Sequence, residues 1–227
     1  PVQQLSMTAE WPVLQQPIDS PLFLRMNRHL ICFPSGEVPA YGYRCQKLRT
    51  TAAARRCLGS LSPHPQVMEN AFLRVTIQAN GTWDLYDKLR SREYRDLGYI
   101  WDRGEIGDPW TYQAPSPDQI FTSLGNTARI CLEVDGPFLC RYGIYVHMDL
   151  PESAAENGQG RSSRFRRLEI KHTLTLTSLA ERLDLATEID NPCEDHWLRL
   201  MFPTDLEVSA VAVDGQFDVI SRSIHRD

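Results

Sequence analysis

The sequence predicts an all-β protein: a small β domain followed by a large antiparallel β-sandwich. Three observations carry this expectation. Apolar residues recur with a period of two in segment after segment, which places one set on a buried face and the other toward solvent. Asn-Gly, Asp-Gly and proline-bearing turn signals separate those segments. No long helical period occurs, and the best helical candidate, Thr51 to Leu58, is short. Many strands with frequent turns pack as a sandwich.

Pro1 to Pro21 carries four prolines and reads as an extended lead-in. Leu22 to Phe33 is an apolar strand, with Pro34-Ser35-Gly36 as its turn. Val38 to Leu48 gives a second strand with Tyr41, Tyr43 and Cys45 on one face. Thr50 to Pro65 loses pattern and marks a boundary, so the domains are taken as 1–62 and 63–227. A unit as small as the first would be marginal alone and should pack on its neighbour. Val67 to Gln78 and Thr82 to Tyr86 flank Asn80-Gly81, a hairpin signal because both residues accept positive φ. Asn80-Gly81-Thr82 is also a glycosylation sequon, for which the tight turn is sufficient explanation.

Arg92 to Trp101 follows as one strand, ending in a charged loop from Asp102 to Asp108. Pro109 to Pro117 has too many prolines for a regular element and forms an ordered loop bearing Trp110 and Tyr112. Strands follow over Ile120 to Leu124, Arg129 to Val134 and Phe138 to Met148. The run Arg166 to Leu179 puts Leu168, Ile170, His172, Leu174 and Leu176 on one face. Leu183, Leu185, Thr187 and Ile189 alternate in the next strand, which Asp190-Asn191-Pro192 stops. Trp197 to Phe202 resumes as the third strand of an antiparallel meander. Glu207 to Val213 and Phe217 to Ile220 close the chain around Asp214-Gly215.

The net charge of -5 argues against a dominant phosphate-binding surface, so no nucleic-acid partner is expected. The basic run Arg161 to Arg167 lacks interleaved aromatics and reads as a solvated face beside an exposed hairpin loop. Six cysteines without CxxC spacing point to reduced thiols and a cytoplasmic location. No apolar run reaches the ~18 residues of a membrane span, and no signal peptide is visible. The chain begins at Pro1 rather than Met, which suits a piece of a longer protein.

Familiar nucleotide-binding, hydrolase and zinc-protease motifs are absent. His147-Met148-Asp149 could present two ligands on one strand face, but nothing nearby supplies a third. Asp195-His196 reads as a turn followed by a strand start. Asp102, Glu105 and Asp108 cluster as solvated loop acids. The better signal is the loop Gly104 to Pro117. Aromatic faces pack on the apolar faces of sugar rings, and a Tyr hydroxyl can hydrogen-bond a sugar hydroxyl. The same aromatics could instead cap the sandwich.

Several segments together resemble the C-terminal β region of glycoside hydrolase family 38, the α-mannosidases, in its bacterial branch. VMENAFLRVTIQANGTWDLYDKLRSREYRDL resembles the family's E-N-x-F-L-R-V strand, N-G turn and L-x-D-K stretch. GEIGDPWTYQAP resembles its G-D-x-Y-x-Y-x-x-P loop, with Trp110 where Tyr is usual. IDNPCEDHWLRLMFPTD resembles I-D-N-x-x-x-D-H-R-L-R-V-x-F-P-T, with Trp197 replacing the first Arg. VPAYGYR resembles the V-P-P-L-G-Y segment of the preceding small domain.

The resemblance implies part of a galactose-mutarotase-like supersandwich, truncated at its C-terminus. It implies an accessory region of a retaining, zinc-dependent α-mannosidase, whose nucleophile and zinc ligands lie in an N-terminal barrel and helical bundle outside this chain. No catalytic residue and no zinc ligand is then expected here, and the chain alone should be inactive. The β region would close one side of the cleft on an α-mannoside. Tyr112 matches the loop's second aromatic and is the expected sugar hydrogen-bonding residue. Arg199 matches the retained Arg and would hold the loop or a substrate oxygen. Asp108 would anchor the loop that carries Trp110. The Trp110 and Trp197 departures suit an unusual aglycone such as mannosylglycerate. The alternative is a stand-alone carbohydrate-binding or mutarotase-like β-sandwich, although no matching His/Glu acid–base pair is apparent.

Overall fold

The computed structural model describes residues 2–15, 21–47, 49, 57–108, 110–157 and 159–224. The helical candidate Thr51 to Leu58 falls largely outside them. Among the described residues the regular structure is strand, apart from one 3-10 turn at Ser123–Gly125.

The strands are β1 Gln3–Gln15, β2 Leu22–Cys32, β3 Val67–Glu69, β4 Leu73–Ile77, β5 Trp83–Asp87, β6 Arg92–Leu97, β7 Tyr99–Gly104 and β8 Phe121–Thr122. They continue with β9 Arg129–Val134, β10 Leu139–Pro151, β11 Phe165–Thr177, β12 Asp184–Asp190, β13 His196–Met201, β14 Ala210–Gly215 and β15 Asp218–Ser223. Two four-stranded antiparallel sheets, β3-β4-β5-β6 and β12-β11-β10-β9, face each other. Between them lie Met68, Val75, Ile77 and Trp83 from one sheet and Cys140, Tyr142, Ile144, Val146, Leu174 and Leu176 from the other. The long strands β10 and β11 extend beyond this core. Their far ends bury Met148, Leu150, Leu168 and Ile170 against Ile100, Leu198, Leu200 and Phe121 of a third sheet, β13-β7-β8. One hairpin thus serves as floor to two cores.

The expected face of β11 is confirmed: Leu168, Ile170, His172, Leu174 and Leu176 are all buried. His172 donates or accepts through Nδ1 to Thr187 Oγ1 at 2.9 Å, and burial lowers its pKa to about 4. The Asn80-Gly81 hairpin also forms, with Ile77 opposite Trp83. Only Gly81 takes a positive φ, +91°, because Asn80 caps the turn by accepting from Thr82 N–H at 3.0 Å.

Four expectations require correction. Val38 to Leu48 is not a strand over its described residues; Pro39 closes a turn with Gly42, 3.0 Å from Pro39 O to Gly42 N. Instead the lead-in forms β1, which pairs with β2. Its Gln3 side chain is buried against the β9–β10 turn, with Oε1 accepting from Phe138 and Leu139 N–H and Nε2 donating to Leu139 O at 2.8 Å. The single strand Arg92 to Trp101 is two. Gly98, at φ +79° beneath the Trp83 ring, turns the chain from one sheet into another, and a Cβ there would strike the indole. The 120–124 strand shrinks to β8 and the 3-10 turn. Finally, the meander stops at β12: β13 pairs with β7 rather than with β12. The bend at Asn191 to Asp195, with Asp195 at φ +50°, carries the chain across to the third sheet.

Candidate functional site

The third sheet positions the chemistry. β7 and β13 pair from His196 opposite Gly104 to Met201 opposite Tyr99. Strand alternation sends Ile100, Asp102, Leu198 and Leu200 inward and Trp101, Arg103, Trp197 and Arg199 outward. In register, Trp197 faces Arg103 and Arg199 faces Trp101. The result is a layer of alternating rings and cations. The Arg199 guanidinium carbon lies 3.4 Å from the Trp197 ring centre and 5.1 Å from that of Trp101. Arg103 lies 4.8 Å from the Tyr112 ring centre and 5.7 Å from that of Trp101. Tyr112 itself leans on Trp197, ring centres 4.9 Å apart at 47°. Such cation–π contacts hold planar groups in place without using their hydrogen-bonding edges.

The loop between β7 and β8 is held by its own acids. Asp108 Oδ1 accepts from Trp110 N–H at 2.8 Å and Thr111 N–H at 2.7 Å, and these bonds keep its carboxyl below the usual range. Glu105 Oε1 accepts from Gly107 and Gln113 N–H at 2.7 and 2.9 Å. Asp118 accepts from Arg103 Nε and Gly104 N–H, both at 2.9 Å. With these backbone donors claimed by carboxylates, the loop presents Trp110 outward, 90% exposed, while Tyr112 is half-buried. Desolvation raises the Tyr112 phenol pKa, and its hydroxyl donates to Gly104 O at 3.5 Å.

Directly beneath, on the inward face of the same strand pair, three charged or polar side chains meet in the core. Asp102 is fully buried; Arg161 Nη1 donates to its Oδ1 at 2.5 Å, and His196 Nδ1 bonds its other oxygen. The carboxylate therefore keeps the His196 proton on Nδ1. Arg161 also reaches Gln119 O at 3.3 Å, and its guanidinium lies 5.4 Å from the Phe121 ring centre. This cluster ties β7, β13, the 151–165 connection and the chain just past the aromatic loop into one block.

These findings correct three sequence expectations. Asp102 is a buried strand residue, not a solvated loop acid. Arg161, the first residue of the basic run, is buried, while Arg166 and Arg167 pair at the surface with Glu152 and Asp149. His196 is more than a strand start. The one available signal was period: in Ile100-Trp101-Asp102-Arg103-Gly104, Asp102 shares the face of buried Ile100.

Of the expected site residues, Tyr112 and Arg199 stand in the outward layer. Trp110 projects from the same loop, and Asp108 fastens that loop. Trp197, Trp101 and Arg103 join them through pairing that sequence could not reveal. His147 and Asp149 stand exposed on β10, with Asp149 bound to Arg167 Nε at 3.1 Å. Among the described residues no three His, Cys, Asp or Glu side chains gather to hold a metal ion. The described residues do not form a zinc centre.

The family described as glycosyl hydrolases family 38 C-terminal domain matches residues 68–227. The chain belongs to this family. A Halalkalibacterium halodurans protein bearing the name "Putative mannosylglycerate hydrolase" is 26% identical over 200 residues, covering 80% of this chain and 22% of the relative. The crystal structure of an alpha-mannosidase from Enterococcus faecalis V583 superposes with a TM-score of 0.82 at 22% identity, over 99% of this chain and 27% of that one. A second Enterococcus faecalis structure, a protein in glycosyl hydrolase family 38, has a TM-score of 0.74, again at 22% identity, over 98% and 28% of the two chains. These structural likenesses establish the fold of the family 38 C-terminal domain. The chain spans roughly a quarter of the length of each relative.

Proposed function

We propose that this family 38 C-terminal domain is the accessory β region of a zinc-dependent, retaining α-mannosidase, and that it closes one side of the cleft on a terminal α-mannoside. The catalytic barrel, the helical bundle and the zinc ligands belong, on this reading, to other parts of the same protein. The division into domains 1–62 and 63–227 and a cytoplasmic location are parts of the same proposal; six free cysteines support the latter.

The observation that carries the reading is the outward layer on β7 and β13. Trp197 and Tyr112 offer apolar faces for a sugar ring, the Tyr112 hydroxyl and Arg199 offer polar contacts, and Trp110 stands free at the rim. The layer is seated on a buried charged cluster, which makes it a rigid wall rather than a mobile loop. A rigid wall limits the entropy lost on binding. The name of the Halalkalibacterium relative supports a small aglycone such as glycerate.

The test is hydrolysis of 4-nitrophenyl α-mannoside by this chain and by the full protein, with and without a chelator. Only the full protein should act, and the chelator should abolish its activity. Activity in this chain alone would overturn the reading. Tyr112→Phe in the full protein should lower kcat/KM by about 5- to 30-fold, the loss of one or two kcal/mol from a sugar hydrogen bond. The alternative, a stand-alone carbohydrate-binding module, predicts saturable mannoside binding by this chain without the rest of the protein.

A further inference from the structure

We infer that the β1–β2 ribbon is a docking surface, and that its apolar side is covered by the catalytic part of the same protein. The inference rests on the proposed function only for the existence of that part. The surface itself is read from side chains that take no part in the β7–β13 layer.

Residues directly opposite in an antiparallel pair project to the same side, and successive residues alternate between sides. Trp11 is opposite Met26, Val13 opposite Leu24 and Gln15 opposite Leu22. Along β2 the same side continues through Arg28 and Leu30. The Arg28 guanidinium carbon lies 4.8 Å from the Trp11 ring centre, as a shared side requires. One side of the ribbon is therefore a stripe of Trp11, Val13, Leu22, Leu24, Met26 and Leu30. The other side is largely polar. There Arg25 pairs with Glu10 at 2.9 Å, His29 bonds Gln4 at 3.1 Å, and Met7 stands opposite His29.

Apolar residues at every second position of a strand are the pattern of one buried face. Yet Trp11, Leu22, Met26 and Leu30 are exposed, and among the described residues neither apolar core takes a side chain from β1 or β2. The ribbon is fastened at its base, where Gln3 bonds Phe138 and Leu139. A two-stranded ribbon is marginal by itself in water, and a contiguous apolar stripe marks a surface that another body covers. The chain spans roughly a quarter of the length of each relative, so on the proposed function most of the protein lies outside it. A part carried on the same chain meets the stripe at high effective concentration, whereas a second copy must be gathered from solution. The catalytic part is therefore the occupant, and the ribbon adds a packed contact to the peptide link between the two.

The experiment is oxidation of the full protein by hydrogen peroxide, read at Met26 and Met7 by peptide mass spectrometry. Peroxide gives one oxygen to a methionine sulfur at a rate that follows access to it. In this chain the two are similarly open, 46% and 52% exposed, but they lie on opposite sides of the ribbon. In the full protein Met26 should oxidise about 10-fold or more slowly than Met7, and dilution should not change the ratio. Leu22→Glu combined with Leu30→Glu charges the stripe around Met26 and should bring its rate up to that of Met7. Phe23→Glu, on the other side, should leave Met26 protected.

Equal rates at Met26 and Met7 in the wild type would overturn the inference. Protection that fades on dilution would also overturn it, since the occupant would then be a second copy. Protection that survives the double charge would do the same. The wild-type comparison decides the matter even where a variant fails to fold. Slow Met26 oxidation in a protein that cleaves no mannoside leaves the docking surface standing and sinks the proposed function. α-Mannosidase activity with both methionines open sinks the docking surface alone.

Discussion

Replacing Arg161 with Met tests whether the outward layer stands on a rigid base. The substitution keeps an apolar stem beside Phe121 and removes the cation that Asp102 meets at 2.5 Å. Both side chains are completely buried. Attraction between two buried charges is largely offset by desolvation, so the pair has little net worth compared with an apolar substitute. Removing one partner is different, because it strands the other charge. The expected loss is about 3–5 kcal/mol. His196 remains bonded to Asp102 and keeps the loss toward the lower end. For a domain of this size that is about 6–20 °C in Tm. Urea unfolding of this chain, followed by tryptophan fluorescence, measures it. The control is Arg161→Met combined with Asp102→Asn, which removes the stranded charge while keeping an acceptor for His196. The double variant should regain at least half of the loss. A loss below about 1 kcal/mol in Arg161→Met would refute the argument, since that is the size of an exposed pair. A double variant as unstable as the sum of the singles would refute it as well.

Two further predictions follow from the same packing. His172 has its pKa lowered to about 4 by burial, against an ordinary value near 6.5, so the unfolded chain binds the extra proton first. Its contribution to stability is complete above pH 6.5, falls as pH drops from there toward 4, and levels off below; the total is about 3 kcal/mol. Denaturant midpoints from pH 7.5 to 4 should show this slope, and His172→Leu should flatten it. Asp108→Ala frees the N–H groups of Trp110 and Thr111, so the anisotropy of Trp110 fluorescence should fall and mannoside KM in the full protein should rise. A rigid Trp110 in that variant would show that the prolines alone hold the loop.

The strands were legible wherever one face is buried. In β11 every second residue from Leu168 to Leu176 points into the core, and the spacing says so without a structure. Expectation failed where a turn changes partner. Gly98 and the Asn191–Asp195 bend look like ordinary interruptions in sequence, yet each moves the chain into a different sheet. The Val38 strand failed for a simpler reason: Pro39 and Gly42 make a turn that the aromatics around them disguise.

Local pattern by itself determined the all-β class, the faces of the long strands and, by resemblance, the family and the loop bearing Trp110 and Tyr112. These depend on residues close in the chain, and a period of two or a run of motif letters records them. Only the tertiary structure decided that Trp101 and Arg103 stand beside Trp197 and Arg199, and that Asp102, Arg161 and His196 meet beneath them. The two contacts to Asp102 alone join residues 59 and 94 positions apart. They follow from which strand pairs with which, and pairing is set by burial of the whole sheet rather than by any one segment.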